Sequence, residues 1–162
     1  MGQVGQVVSS GRRREVSFAI AACLVIAVVY AALGLLEHHA LRTNAFDLSV
    51  FDYALWTTAS GGVPGYVPLF GHSLFAQHAM PTLMLLAPLS RIFDSPEYLI
   101  VLQATFHAAA GFLFFSLARR HLPSRLAWAL LAAYLLSRRP YSAVTSYFYI
   151  ESAEPMLIFG AL

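Results

Sequence analysis

The sequence has no lysine, a single cysteine and few charges of either sign. Charged residues make up 11% of the 162, against about 25% in an ordinary soluble domain, and 59% are hydrophobic, so the chain is built for a bilayer rather than for water. All ten basic residues are arginine, and a net charge of +2 scattered along the chain makes no basic stripe of the kind a nucleic-acid surface needs. Cys23 lies in an apolar run without a second cysteine, which excludes a disulfide or a thiolate metal site within the chain. Absent too are a phosphate-cradling glycine loop, a dinucleotide-binding glycine motif, an HExxH zinc site and a serine nucleophile elbow.

What is present is a series of apolar runs. Val16 to Leu36 holds 21 residues without a charge, about 31 Å as a helix, which matches a hydrocarbon core of about 30 Å. Arg12, Arg13 and Arg14 precede it, so the positive-inside rule puts the tail, residues 1–15, in the cytoplasm and Glu37 outside the cell membrane. A cleaved signal peptide is the rival, but the run exceeds the usual signal core of about 7–15 residues, and Gly34-Leu35-Leu36 is a poor cleavage site. A second uncharged run, Tyr98 to Ala118, precedes Arg119, Arg120 and Arg125 and gives a span at about 97–118.

Leu126 to Ser137 reaches only about 18 Å before Arg138 and Arg139, so a third span, about 125–147, requires both arginines to snorkel to an interface. Met156 to Leu162 opens a fourth span, and the chain stops seven residues into it, which predicts a truncated protein. Pro81 to Phe93, about 20 Å with Pro88 inside, is too short to cross and is expected to lie flat in the interface. The expected fold over 16–162 is therefore an all-α, multi-pass integral membrane domain. It has three transmembrane helices, the start of a fourth, and a long extracytoplasmic loop, 37–96, that holds juxtamembrane helices.

That loop carries most of the candidate chemistry. Asp47 to Ala59 has helical recurrence at Val50, Phe51, Ala54 and Leu55 and stops at Ser60-Gly61-Gly62; Gly61 to Gly71 reads as a turn-rich loop. On a helix Asp47 and Asp52 point about 140° apart, so one of them is the active carboxylate. Asp47 suits a general base or metal ligand facing a lipid-borne substrate, and equally an N-terminal helix cap. His78 is a candidate phosphate or metal ligand. Glu151 and Glu154, at i and i+3, share a helical face and return to the Asp47 side. His38 and His39 beside Glu37 suit a metal or simply a helix end in water, and Gln103 and His107 share one face of the second span, where hydrogen bonding to other helices is their expected role.

The stretches FDLSVFDYALWTTASGG (46 to 62) and PLFGHSLFAQHAMPTLMLLAPLSRIFDSPEYLIVLQA (68 to 104), with the arginine pair after the next span, resemble a bacterial and archaeal membrane-protein family carrying domain of unknown function 2079. More distantly, the layout is similar to the C-type glycosyltransferases, which use a polyprenyl-phosphate-linked sugar on the outer face of the membrane. That resemblance implies a catalytic acid at Asp47. It implies a substrate- or phosphate-binding role for Asp52, His78, Glu151 and Glu154, a divalent metal ion as cofactor, and a flat helix before the second span. The alternative is a non-enzymatic transporter or assembly scaffold, against which stands the scarcity of ionisable groups near the midplane, where only Gln103 and His107 qualify.

Overall fold

The computed structural model describes residues 2–43, 45–76, 81–137, 142 and 153–162, and of residues 2–11, 45, 81 and 83 the backbone alone. His78, Glu151, Arg138 and Arg139 lie outside the described residues. Helix α1 runs Gly2–His39, α2 Ala45–Ala59, α3 Pro81–Leu86, α4 Glu97–His121, α5 Ser124–Leu135 and α6 Glu154–Ala161. Strands β1 (Tyr66–Val67) and β2 (His72–Ser73) form an antiparallel ladder between α2 and α3.

Helix α1 is continuous through the arginine triplet, so the tail expected at 1–15 is helical from Gly2 onward. The reason is local: residues 2–15 contain no proline, and the helix nucleated by the apolar run extends through Gly5, Gly11 and Ser9-Ser10 despite their low propensity. By length and composition Arg12–His39 and Glu97–His121 can cross a membrane. The expected third span is described as helix only to Leu135, followed by a turn at Leu136, and its remainder falls largely outside the described residues.

Two buried clusters divide the bundle along its length. At the Arg12 end, Ala19 and Cys23 of α1 meet Ala108, Phe115 and Ala118 of α4 and Ala127, Leu131 and Leu135 of α5. Small side chains let the α1 and α4 backbones approach closely, which is how helices associate where lipid supplies no hydrophobic drive. Gly111 leaves room in the same way: a Cβ there would stand 2.8 Å from Leu135 Cδ2, so the Leu135 side chain would have to shift for an alanine. Phe115 closes the cluster against Trp128 at 4.9 Å between ring centroids.

At the Glu97 end, Tyr30 of α1 and Leu99, Ile100 and Ala104 of α4 are covered by Leu48, Val50, Ala54 and Leu55 of α2, with Val67, Leu74 and Ala87. The loop over 61–71 turns at three glycines with positive φ, Gly61, Gly65 and Gly71, as its composition requires. The ladder between them is a feature the all-α expectation lacked; two-residue strands are too short to leave an alternating pattern. The stretch 81–93 breaks at Ala87 into a 3-10 turn over Ala87–Arg91 containing Pro88, and it packs on α2.

Two contacts tie these pieces lengthwise. The Tyr30 hydroxyl donates to the carbonyl of Leu135, the last residue of α5. Helix α6 runs parallel to α4, with Phe159 against Phe114 at 5.3 Å and the Arg120 guanidinium donating to the Leu162 carbonyl at 3.3 Å.

Candidate functional site

The Glu97 end gathers the acids of the loop. Helix α2 is fixed there by its own C-terminus: Thr57 Oγ1 donates to the Tyr66 carbonyl at 3.0 Å, and Gly65 N–H donates to Thr58 Oγ1 at 2.7 Å. The Arg91 guanidinium donates to the carbonyl of Ala59, one of the acceptors that a helix end leaves without a partner. Hydroxyls and a guanidinium thus hold α2 to the hairpin on one side and to the 3-10 turn on the other.

Asp47 stands in the first turn of α2, where the helix dipole favours its charge, and is partly buried. Asp52 is also partly buried, and burial raises its carboxyl above the usual carboxylate range. Asp52 lies within electrostatic reach of Tyr98. The Tyr98 ring stacks on Phe93 at 5.3 Å, and its hydroxyl is buried without a hydrogen-bond partner among the described residues. With both aspartates helical, they project about 140° apart, so only Asp52 faces the Tyr98 side.

Tyr98 also forms part of a groove of 630 Å³ between α1 and α4, a volume typical of small-molecule sites, which run to about 300–1,000 Å³. Leu35, Leu89, Ile92, Phe93 and Val101 make its walls apolar, and Asp94, Ser95 and Glu97 supply its polar groups. Glu97 is in turn 3.5 Å from His39 Nε2, and Arg42 is 3.8 Å from Glu37, the latter a largely exposed ion pair of small energetic weight.

Other expected residues lie elsewhere. Glu154 opens α6, and the Phe159–Phe114 contact puts it about 18 Å along the bundle from Glu97, so it does not join the aspartates of α2. Gln103 and His107 are both buried on one face of α4, about 9 and 15 Å in from Glu97. Neither ring nitrogen of His107 has a partner among the described residues.

Among the described residues no three His, Cys, Asp or Glu side chains come together. The groove and Tyr98 were not legible as a site in the sequence. Ser95-Pro96-Glu97-Tyr98 reads there as a helix start, and only the fold brings Leu35 to the groove and Asp52 within electrostatic reach of Tyr98.

A family model described as a predicted membrane protein, DUF2079, matches residues 37–162. The chain belongs to that family, and α1 and α4 are its described helices with the length and composition to cross a bilayer. No curated protein and no solved structure matches the chain.

Proposed function

We propose that this member of a membrane-protein family is a glycosyltransferase of the C type, working at the Glu97 end on the outer face of the cytoplasmic membrane, with the Arg12 end in the cytoplasm. The observation that carries the reading is Asp52: a partly buried carboxylate of raised pKa within electrostatic reach of Tyr98, which itself lines an apolar groove. Such a groove suits the chain of a polyprenyl-phosphate-linked sugar, leaving the sugar at the level of α2. A raised pKa makes the Asp52 carboxylate a stronger base than that of an ordinary aspartate.

The reaction has one proton and one bond to move. The acceptor hydroxyl gives its proton to the carboxylate, and its oxygen bonds to the anomeric carbon. The bond from that carbon to the phosphate oxygen breaks, and polyprenyl phosphate leaves with the electron pair. The family resemblance gives the base to Asp47, whereas the groove-side environment supports Asp52. With the carboxylates about 140° apart, both cannot serve the same hydroxyl. Asp52→Asn should lower transfer from a polyprenyl-phosphate sugar by about a hundredfold or more, the usual contribution of a general base, while Asp47→Asn lowers it less. Full loss in Asp47→Asn with Asp52→Asn active would return the role to Asp47, and activity in both would end the glycosyltransferase reading.

One observation favours the transporter alternative. His107 is an unpartnered ionisable group well inside a candidate span, the kind of residue that marks an ion or substrate path. On that reading His107→Ala abolishes solute uptake by proteoliposomes and leaves sugar transfer unmeasurable in the parent protein as well.

A further inference from the structure

At the opposite end, one carboxylate draws three helices into a corner. Glu15 Oε2 of α1 accepts from Arg119 Nε of α4 at 3.0 Å, with a second guanidinium nitrogen also at 3.0 Å, and Glu15 Oε1 accepts from Ser124 Oγ of α5 at 2.9 Å. Arg119 is thereby neutralised, and it donates as well to the Leu122 carbonyl at 3.0 Å. Arg14, Arg120 and Arg125 neighbour these residues in the chain and so lie at the same end of the bundle, on faces about 100° round from the bridge, with Arg12 and Arg13 on the preceding turn of α1. All five of these arginines are exposed, and none is paired with a carboxylate side chain among the described residues.

Five uncompensated guanidinium groups at one end of a bundle repel one another unless an anion lies among them. The neighbouring surface says which anion. Arg12 and Arg13 share a concavity of 530 Å³ with Val16 and Ser17, and beyond it Phe18, Ile20, Leu24 and Val25 of α1 are exposed. A cation cluster that continues directly into a lipid-facing apolar helix meets a phosphate and an acyl chain together. We infer that this corner is a binding site for an anionic phospholipid, the guanidinium groups holding its phosphate and α1 its chains. The inference needs α1 to span, and it is independent of the reaction at the other end.

The test uses the purified chain in neutral detergent, where membrane orientation has no influence, titrated with fluorescent phosphatidylglycerol and with phosphatidylcholine of the same chains. Phosphatidylglycerol should bind saturably, at least tenfold more tightly than phosphatidylcholine, and less tightly as salt is raised. Arg12→Gln, Arg13→Gln and Arg14→Gln together should weaken it about a hundredfold, and lysine at the same three positions should restore most of the affinity. If the triple glutamine variant does not fold, Arg120→Gln with Arg125→Gln, expected to lose about thirtyfold, decides the matter in its place. Equal binding of the two lipids, or unchanged affinity in the folded glutamine variants, overturns the inference. Displacement by low-millimolar inorganic phosphate would show a free-phosphate site and overturn the lipid.

Discussion

The two ends of the bundle are held by different kinds of interaction. At the Arg12 end, charge does the joining: a single glutamate bridges α1, α4 and α5 beneath a cluster of small residues. At the Glu97 end an apolar cluster joins the elements, together with side-chain hydrogen bonds to backbone carbonyls. The carbonyls of Ala59 and Tyr66 are taken by Arg91 and Thr57, and the hairpin folds back on α2. A closed ion-pair corner resists change in its members, whereas an end held by caps and turns leaves carboxylates such as Asp52 and Asp94 available to a ligand.

The sharpest way to break this contrast is to show that the two ends share one side of the membrane. A cysteine replacing Ser60 should label from outside intact cells and one replacing Ser10 should not; labelling of both from one side would remove the polarity on which the proposed reaction depends. Next in size is Glu15→Gln, which leaves Arg119 without its counter-charge in a partly buried position and should cost about 2 kcal/mol. The chain's two tryptophans, Trp56 on α2 and Trp128 on α5, report the ends separately, so the loss should register at Trp128 in denaturant titrations well before Trp56. Coincident transitions would show that the ends unfold as one unit.

Tyr30→Phe tests the join between the two regions. Removing its hydroxyl leaves the Leu135 carbonyl unpaired and should cost about 1 kcal/mol or less, read as lower thermal stability with the secondary structure intact. The smallest effect is a pH slope. Asp52 binds its proton more tightly folded than unfolded, so stability is highest below the ordinary aspartate pKa and falls as pH rises from there through the raised value. That slope should appear in Trp56 fluorescence, vanish in Asp52→Asn and be absent at Trp128.

Much of the frame could be read directly from the residues. Uncharged runs are long-range signals that do not depend on tertiary contacts, so α1 and α4 were legible from Val16–Leu36 and Tyr98–Ala118, and the recurrence from Val50 to Leu55 gave α2. The site was less legible. The sequence put the catalytic acid at Asp47 and gave Asp52 a binding role; the raised pKa of Asp52 comes from packing, which is a property of α4 as much as of α2. Glu15 was equally opaque: next to three arginines it reads as a solvated charge, and its partners stand more than a hundred residues away. For Glu154 the expected topology gave only a side of the membrane, and its depth along the bundle follows from a contact the sequence does not show, Phe159 against Phe114.

The hydrogen bond from Tyr30 to Leu135 carries a consequence for how the chain is made. For the Leu135 carbonyl the donor belongs to a helix made more than a hundred residues earlier. The bond therefore forms only once α5 has been synthesised and has docked on α1, so it reports assembly rather than helix formation. The order of synthesis suits this, because α1 is already made when α5 arrives, and a variant lacking the hydroxyl should form α5 normally but hold it less firmly against α1.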